Sequence, residues 1–144
     1  MQEFLNKAQE QNIVDAIARA EKQTSGEVKV HIESDCAEAE PLKRAIALFE
    51  QLKMHETNLR NGVLIYVATK SRKFAIYGDE GINKLVPTDF WNNVAAILKQ
   101  HFASENFALG LQEAIDLVGE KLHAFFPYNN DDTNELSNDI SFGK

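Results

Sequence analysis

Three short stretches of this chain hold residue types that could do chemistry. Asp79 and Glu80 stand between Gly78 and Gly81. Neighbouring acids flanked by residues without side chains can turn their oxygens to one point, and hard cations such as Ca2+ and Mg2+ take oxygen donors. Glu27, behind the turn Thr24-Ser25-Gly26, and Asp89, behind Pro87-Thr88, could add further ligands. An exposed turn with solvated acids fits the same residues, because Asp and Gly are common turn formers. The segment lacks the every-second-position acids of an EF-hand loop. Arg60-Asn61-Gly62 brings a guanidinium that could clamp a phosphate or carboxylate through two hydrogen bonds. It could equally pair with Asp79 or Glu27 and hold the loops together. Asp35 is a second-choice ligand elsewhere in the chain.

The remaining reactive types point to structure. His31, His55, His101 and His123 include no pair at the helical i, i+4 spacing of a zinc site. Cys36 sits beside acids, without the electropositive neighbours that activate a thiolate. As the single cysteine it excludes an internal disulfide and any CxxC site. Ser71 lies between Lys70 and Arg72, a basic setting that suits phosphate, yet no GxSxG, Walker or GxGxxG pattern is present. Trp91, Phe90 and Phe102 follow helical spacing and read as core.

Periodicity gives the elements that would position these groups. Residues 3–23 are an amphipathic helix, closed by Thr24-Ser25-Gly26. VKVHIE (28–33) alternates as a half-buried strand. A helix over 41–54 precedes GVLIYVA (62–68), whose short β-branched run marks a central strand buried on both faces. KFAIYG (73–78) follows after a short polar connection and makes an antiparallel hairpin with it. Two more helices cover about 88–102 and 106–126, with Thr88 as N-cap of the first and Asp89 in its first turn. A helical crossover makes the first two strands parallel, so the expected sheet is small and mixed, with helices on both faces. The first two strands then start at the edge where the third ends, which gathers residues 24–27, 60–61 and 78–81. The opposite edge gathers Glu33, Ser34 and Asp35 with 70–72. Ligands in open α/β sheets favour the carboxyl ends of parallel strands, but the first edge is denser in acids and glycines.

Composition narrows the partners. The 144 residues fit one domain, expected over 1–127, and 44% hydrophobic content supports a core. Residues 128–144 hold four acids and one lysine among Asn and Ser, which reads as an acidic, flexible tail with NELSNDI docking weakly. Lys and Arg number 15 against 22 Asp and Glu, a net charge of −7 that disfavours nucleic acid and anionic membrane surfaces. No apolar run reaches the roughly 20 residues of a membrane helix, and the amphipathic N-terminus lacks a signal peptide's apolar core. The expected location is cytoplasmic, and the expected partners are a divalent metal and a protein.

TSGEVKVHIE, then RNGVLIYVATKSRKFAIYGDEGINKLV, the acid-headed helix at DFW and FALGLQEAIDLVGEKL together resemble the TPM domain over about residues 10–126. The resemblance implies a Rossmann-like three-layer α/β/α sandwich, in agreement with the element order. It implies Glu27, Arg60, Asn61, Gly78, Asp79, Gly81 and Asp89 as the positions to carry over. Plant members in the thylakoid lumen are associated with acid phosphatase activity and photosystem II repair, an animal membrane member is a receptor accessory subunit, and acidic loops of the fold are linked to divalent metals. Gly78-Asp79-Glu80-Gly81 replaces a glycine-hydrophobic-glycine pattern common among relatives, and the absence of a membrane tail argues against a membrane role. The leading expectation is a module binding Ca2+ or Mg2+ through Asp79, Glu80, Asp89 and Glu27, with an interaction or regulatory role. The alternatives are a metal-assisted acid phosphatase, with Arg60 neutralising phosphoryl charge, and an interaction domain without metal.

Overall fold

The structure, a computed structural model, describes residues 4–128 and 139–143. Asn6 opens the first helix, α1 (Lys7–Glu21): its side chain accepts from the Gln9 N–H at 2.8 Å and Gln9 accepts from the Asn6 N–H at 2.9 Å. A cap of this kind contributes about 1 kcal/mol, and it starts the helix later than periodicity suggests. Leu5 and Phe4 precede it and pack inward, Phe4 lying 4.4 Å from Phe107 between ring centroids. The chain continues as β1 (Glu27–Glu33), α2 (Pro41–Gln51), a 3-10 turn (Met54–Glu56), β2 (Gly62–Ala68), β3 (Lys73–Gly78), α3 (Glu80–Asn83), α4 (Phe90–Ala103), α5 (Phe107–Phe125) and β4 (Ser141–Phe142).

The fold is mixed α/β, with five α-helices and a four-stranded sheet in the order β3-β2-β1-β4 among the described residues. β1 and β2 are parallel, with Glu27 opposite Gly62 and Glu33 opposite Ala68. β3 returns antiparallel, with Val63 opposite Gly78 and Ala68 opposite Lys73. Alternation along the strands separates two cores. Val28, Val30 and Ile32 of β1 and Val63, Ile65 and Val67 of β2 pack with α1, α4 and α5. Leu64, Tyr66 and Ala68 pack on the other face with Ala45, Leu48 and Phe49 of α2 and with Met54. All seven β2 residues are buried, as expected of a central strand.

Three local expectations are corrected. Gly26 does not close α1 through a left-handed backbone, since no glycine among the described residues has positive φ. Lys22 ends the helix in right-handed geometry, and Gly26 is small because a Cβ there would lie 2.8 Å from Leu122. Asp89, not Thr88, is the N-cap of α4, and its side chain makes no capping hydrogen bond. Most of the acidic tail lies outside the described residues, but 139–143 return to the sheet. There Ser141 pairs with His31 and Phe142 with Ile32, parallel to β1, while Ile140 packs on the core. The free edge of β1 recruits a segment that has no strand pattern of its own.

Candidate functional site

The rim where β1 and β2 begin and β3 ends is built by the hairpin ladder running on past the sheet. The Asp79 N–H donates to the Gly62 carbonyl at 2.9 Å, and the Gly81 N–H to the Arg60 carbonyl at 2.7 Å. A Cβ on Gly81 would lie 2.1 Å from the Leu59 oxygen, so this glycine serves a close backbone approach rather than a flexible turn. Arg60 holds φ at 51°, a left-handed conformation that costs a non-glycine residue roughly 1–2 kcal/mol. What offsets that cost is a two-point ion pair. Arg60 Nε donates to Asp79 Oδ2 at 2.7 Å and Nη2 to Asp79 Oδ1 at 2.8 Å, while Nη1 lies 3.2 Å from Glu80 Oε1. Asp79 Oδ1 also accepts the Glu80 N–H at 2.8 Å and so caps α3. The Asp79 side chain is 1% exposed, Arg60 39% and Glu80 70%. The hydrogen bonds that the guanidinium donates to Asp79 raise the Arg60 pKa further above its ordinary value.

Of the two readings of Arg60, the pairing with Asp79 is the one that folds. Asn61 is buried beside it, donating to Ser25 Oγ at 3.5 Å and accepting the Glu27 N–H on its carbonyl at 3.4 Å. Gly78 lies under Trp91, whose ring would be 2.3 Å from a Cβ there. Trp91 itself is only partly buried and donates Nε1–H to Asn83 Oδ1 at 2.8 Å.

The four acids expected to converge do not. Among the described residues no three His, Cys, Asp or Glu side chains are grouped so as to hold a metal. Asp89 is exposed at the start of α4 and its side chain makes no capping hydrogen bond. Glu27 is buried against Glu21 instead. What remains is the Asp79–Glu80 pair around Arg60. Metal-assisted hydrolysis would need Arg60 open to phosphoryl oxygens and Asp79 as nucleophile or base, and here each engages the other.

Glu21, in the last turn of α1, escapes a reading of the sequence. Its Oε2 accepts the Val28 N–H at 2.9 Å and its Oε1 is buried without a hydrogen-bond partner. Burial, then the neighbouring Glu27 carboxyl, outweigh the Val28 N–H and push its pKa to about 9. The Glu21–Glu27 pair therefore holds a proton more tightly than an ordinary carboxyl does.

A second polar network lies at the carboxyl end of β1. Glu33 accepts from Arg44 Nε on Oε2 and from Nη2 on Oε1, both at 2.9 Å, and from the Tyr66 hydroxyl on Oε2. His31 Nε2 is 3.4 Å from Glu33 Oε1, and His31 Nδ1 is 2.8 Å from Ser141 Oγ. The Arg44 hydrogen bonds hold the Glu33 pKa at about 2 against its burial. Burial raises Tyr66 and lowers His31. The carboxylate is thus a fixed anion that clamps α2 and β2 to β1. A sequence signal existed: Tyr66 is the one hydroxyl in an otherwise apolar strand, and a buried hydroxyl demands a partner. Asp35 stands exposed beyond this network, while Ser71 Oγ accepts the Cys36 N–H at 2.9 Å.

A small mixed sheet with helices on both faces, an ion-paired rim at one end and a buried carboxylate clamp at the other defines the class: an α/β domain with charged groups at both ends of its parallel strands. The TPM domain family matches residues 1–121, and the chain belongs to that family. It is similar to the BA42 protein of the psychrophilic bacterium Bizionia argentinensis, with a TM-score of 0.91 and 46% identity over 99% of this chain and 98% of that one. It also shares the fold of the N-terminal domain of a P. gingivalis protein, with a TM-score of 0.66 and 22% identity over 85% of this chain and 79% of that one. No curated protein matches. Among the described residues no helix is long and apolar enough to cross a membrane.

Proposed function

We propose that this TPM domain, whose scaffold we read as a Rossmann-like three-layer sandwich, is a binding module that takes a divalent cation at the Asp79–Glu80 rim. Its role is interaction or regulation. One observation carries the reading: two carboxylates already converge on a single positive group, the Arg60 guanidinium. Ca2+ asks for about six to eight oxygens, whereas Mg2+ keeps several waters and is satisfied by one or two carboxylates. Asp79 and Glu80 therefore fit a largely hydrated cation, and the absence of a third grouped acid among the described residues does not fit a dehydrated cage. Such a cation competes with Arg60 for the same oxygens. Its binding would release the guanidinium and relax the strained backbone at residue 60, and in that way report cation concentration to whatever contacts the rim.

Titration of labelled protein with MgCl2 and CaCl2, followed by amide NMR shifts, tests this. Shifts should concentrate at 60–62 and 78–82. Arg60→Gln removes the competing charge and should tighten binding by about tenfold. Silence of those amides at millimolar cation, or weaker binding by Arg60→Gln, would refute the reading.

A further inference from the structure

β3 is an edge strand, and its pairing fixes which of its backbone groups are spent. Hydrogen bonds from Asp79 to Gly62 and from Gly81 to Arg60 set the register of the ladder. In an antiparallel pair the residues that exchange hydrogen bonds alternate, so Lys73, Ala75 and Tyr77 turn their N–H and C=O groups toward β2. Phe74, Ile76 and Gly78 turn theirs outward. Gly78 is covered by Trp91, which leaves Phe74 and Ile76 open, and no strand pairs with them among the described residues.

This open edge forms the floor of a groove of about 500 Å3, lined along Phe74–Gly78 with Leu42 on one wall and Trp91 and Ala95 on the other. α2 adds Ile46 one turn beyond Leu42, and the two are exposed at 37% and 46%. Exposed apolar residues at i and i+4 beside an unpaired strand edge are a liability unless something covers them. One end of the groove is acidic. Glu80 stands at the Gly78 end, its partner Arg60 already held at two points by Asp79. Lys73, beside the other end, is turned away to donate to the Ala39 carbonyl at 3.2 Å. Walls rising on both sides of the strand admit one extended chain rather than the flat edge of a second sheet.

We propose that this groove docks an extended peptide segment of a partner protein. The segment adds to β3 as a further antiparallel strand, places an apolar side chain between Leu42 and Trp91, and sets a lysine or arginine against Glu80. Backbone hydrogen bonds to Phe74 and Ile76 supply affinity, and the wall and end contacts supply specificity.

The probe is the peptide acetyl-Lys-Val-Ser-Val-Ser-Val-amide, titrated into labelled protein in EDTA so that the outcome is independent of any cation at the rim. The amides of Phe74 and Ile76 should shift and exchange more slowly, while those of Ala75 and Tyr77 keep their exchange rates. A Glu-headed version of the peptide should bind more weakly. Ile76→Pro removes an outward N–H that β2 does not use and should weaken binding about tenfold. Leu42→Lys, on an exposed wall position, should weaken it as well, and it serves if the proline variant does not fold. The proposal is overturned if the Phe74 and Ile76 amides are silent at millimolar peptide. It is equally overturned if their protection rises with protein concentration alone, which would make the groove a contact between copies of this chain.

Discussion

Replacing Glu21 with glutamine should stabilise the protein at neutral pH, an unusual outcome for a change at a half-buried charged residue. The ordinary pKa of 4.5 rises to about 9 in the fold, so the folded chain holds a proton that the unfolded chain has lost. Between those values the native state binds more protons, and stability falls as pH rises. At pH 7 the unfolded-state preference for ionisation costs roughly 3 kcal/mol as a ceiling, from about 1.4 kcal/mol per pH unit above 4.5. Partial exposure and sharing of the proton with Glu27 reduce that, so about 1–2 kcal/mol is expected. Glutamine keeps an oxygen for the Val28 N–H and offers an amide donor where Glu21 Oε1 has no partner while ionised. Urea denaturation at pH 5, 7 and 9 measures the effect. The wild-type curve minus the Glu21→Gln curve should grow more unfavourable with pH. Equal pH slopes, or a glutamine variant less stable at pH 7 and 9, would refute the protonated-pair account.

Glu33 titrates in the opposite sense. Its folded pKa of about 2 lies below the ordinary 4.5, so its contribution is full above pH 4.5 and is lost as pH falls from there to about 2. Glu33→Gln should remove that acid-dependent loss and cost about 2–4 kcal/mol at pH 7, because Arg44 and Tyr66 lose their anion; thermal melts from pH 2 to 7 measure it. Gly81→Ala forces a Cβ to 2.1 Å from the Leu59 oxygen and should break the Arg60–Gly81 hydrogen bond, lowering stability by about 2 kcal/mol or more and loosening the rim. In Gly78→Ala the obstacle is the Trp91 side chain, which can rotate, so the loss should be smaller and accompanied by a change in Trp fluorescence. A melt in which Gly78→Ala is the more damaging of the two would contradict this account.

Local pattern alone determined the order of the four longer helices and three longer strands, the central position of β2 and the antiparallel hairpin, and it placed Arg60 at the same edge as Asp79 and Glu27 without choosing between them. Each follows from a period or a turn length acting over a few residues: seven apolar residues must be covered on both faces, and a short connection must reverse the chain. The resemblance to the TPM domain was legible for the same reason, since it is carried by the order of those segments. The tertiary structure decided what each charged group meets. Glu27 and Asp89 read as partners for Asp79 and Glu80, yet among the described residues no third acid groups with that pair, while Glu21 and Glu27 come together because α1 ends where β1 begins. Ser141 pairs with His31 although nothing in its neighbourhood reads as a strand, because the vacant edge of β1 supplies the template. The fate of a carboxylate depends on burial and on partners distant in sequence: burial beside Glu27 pushes Glu21 toward its protonated form, and the Arg44 fork keeps Glu33 charged. Neither environment can be read from the residue or its neighbours in the chain, because desolvation and charge pairing act through space.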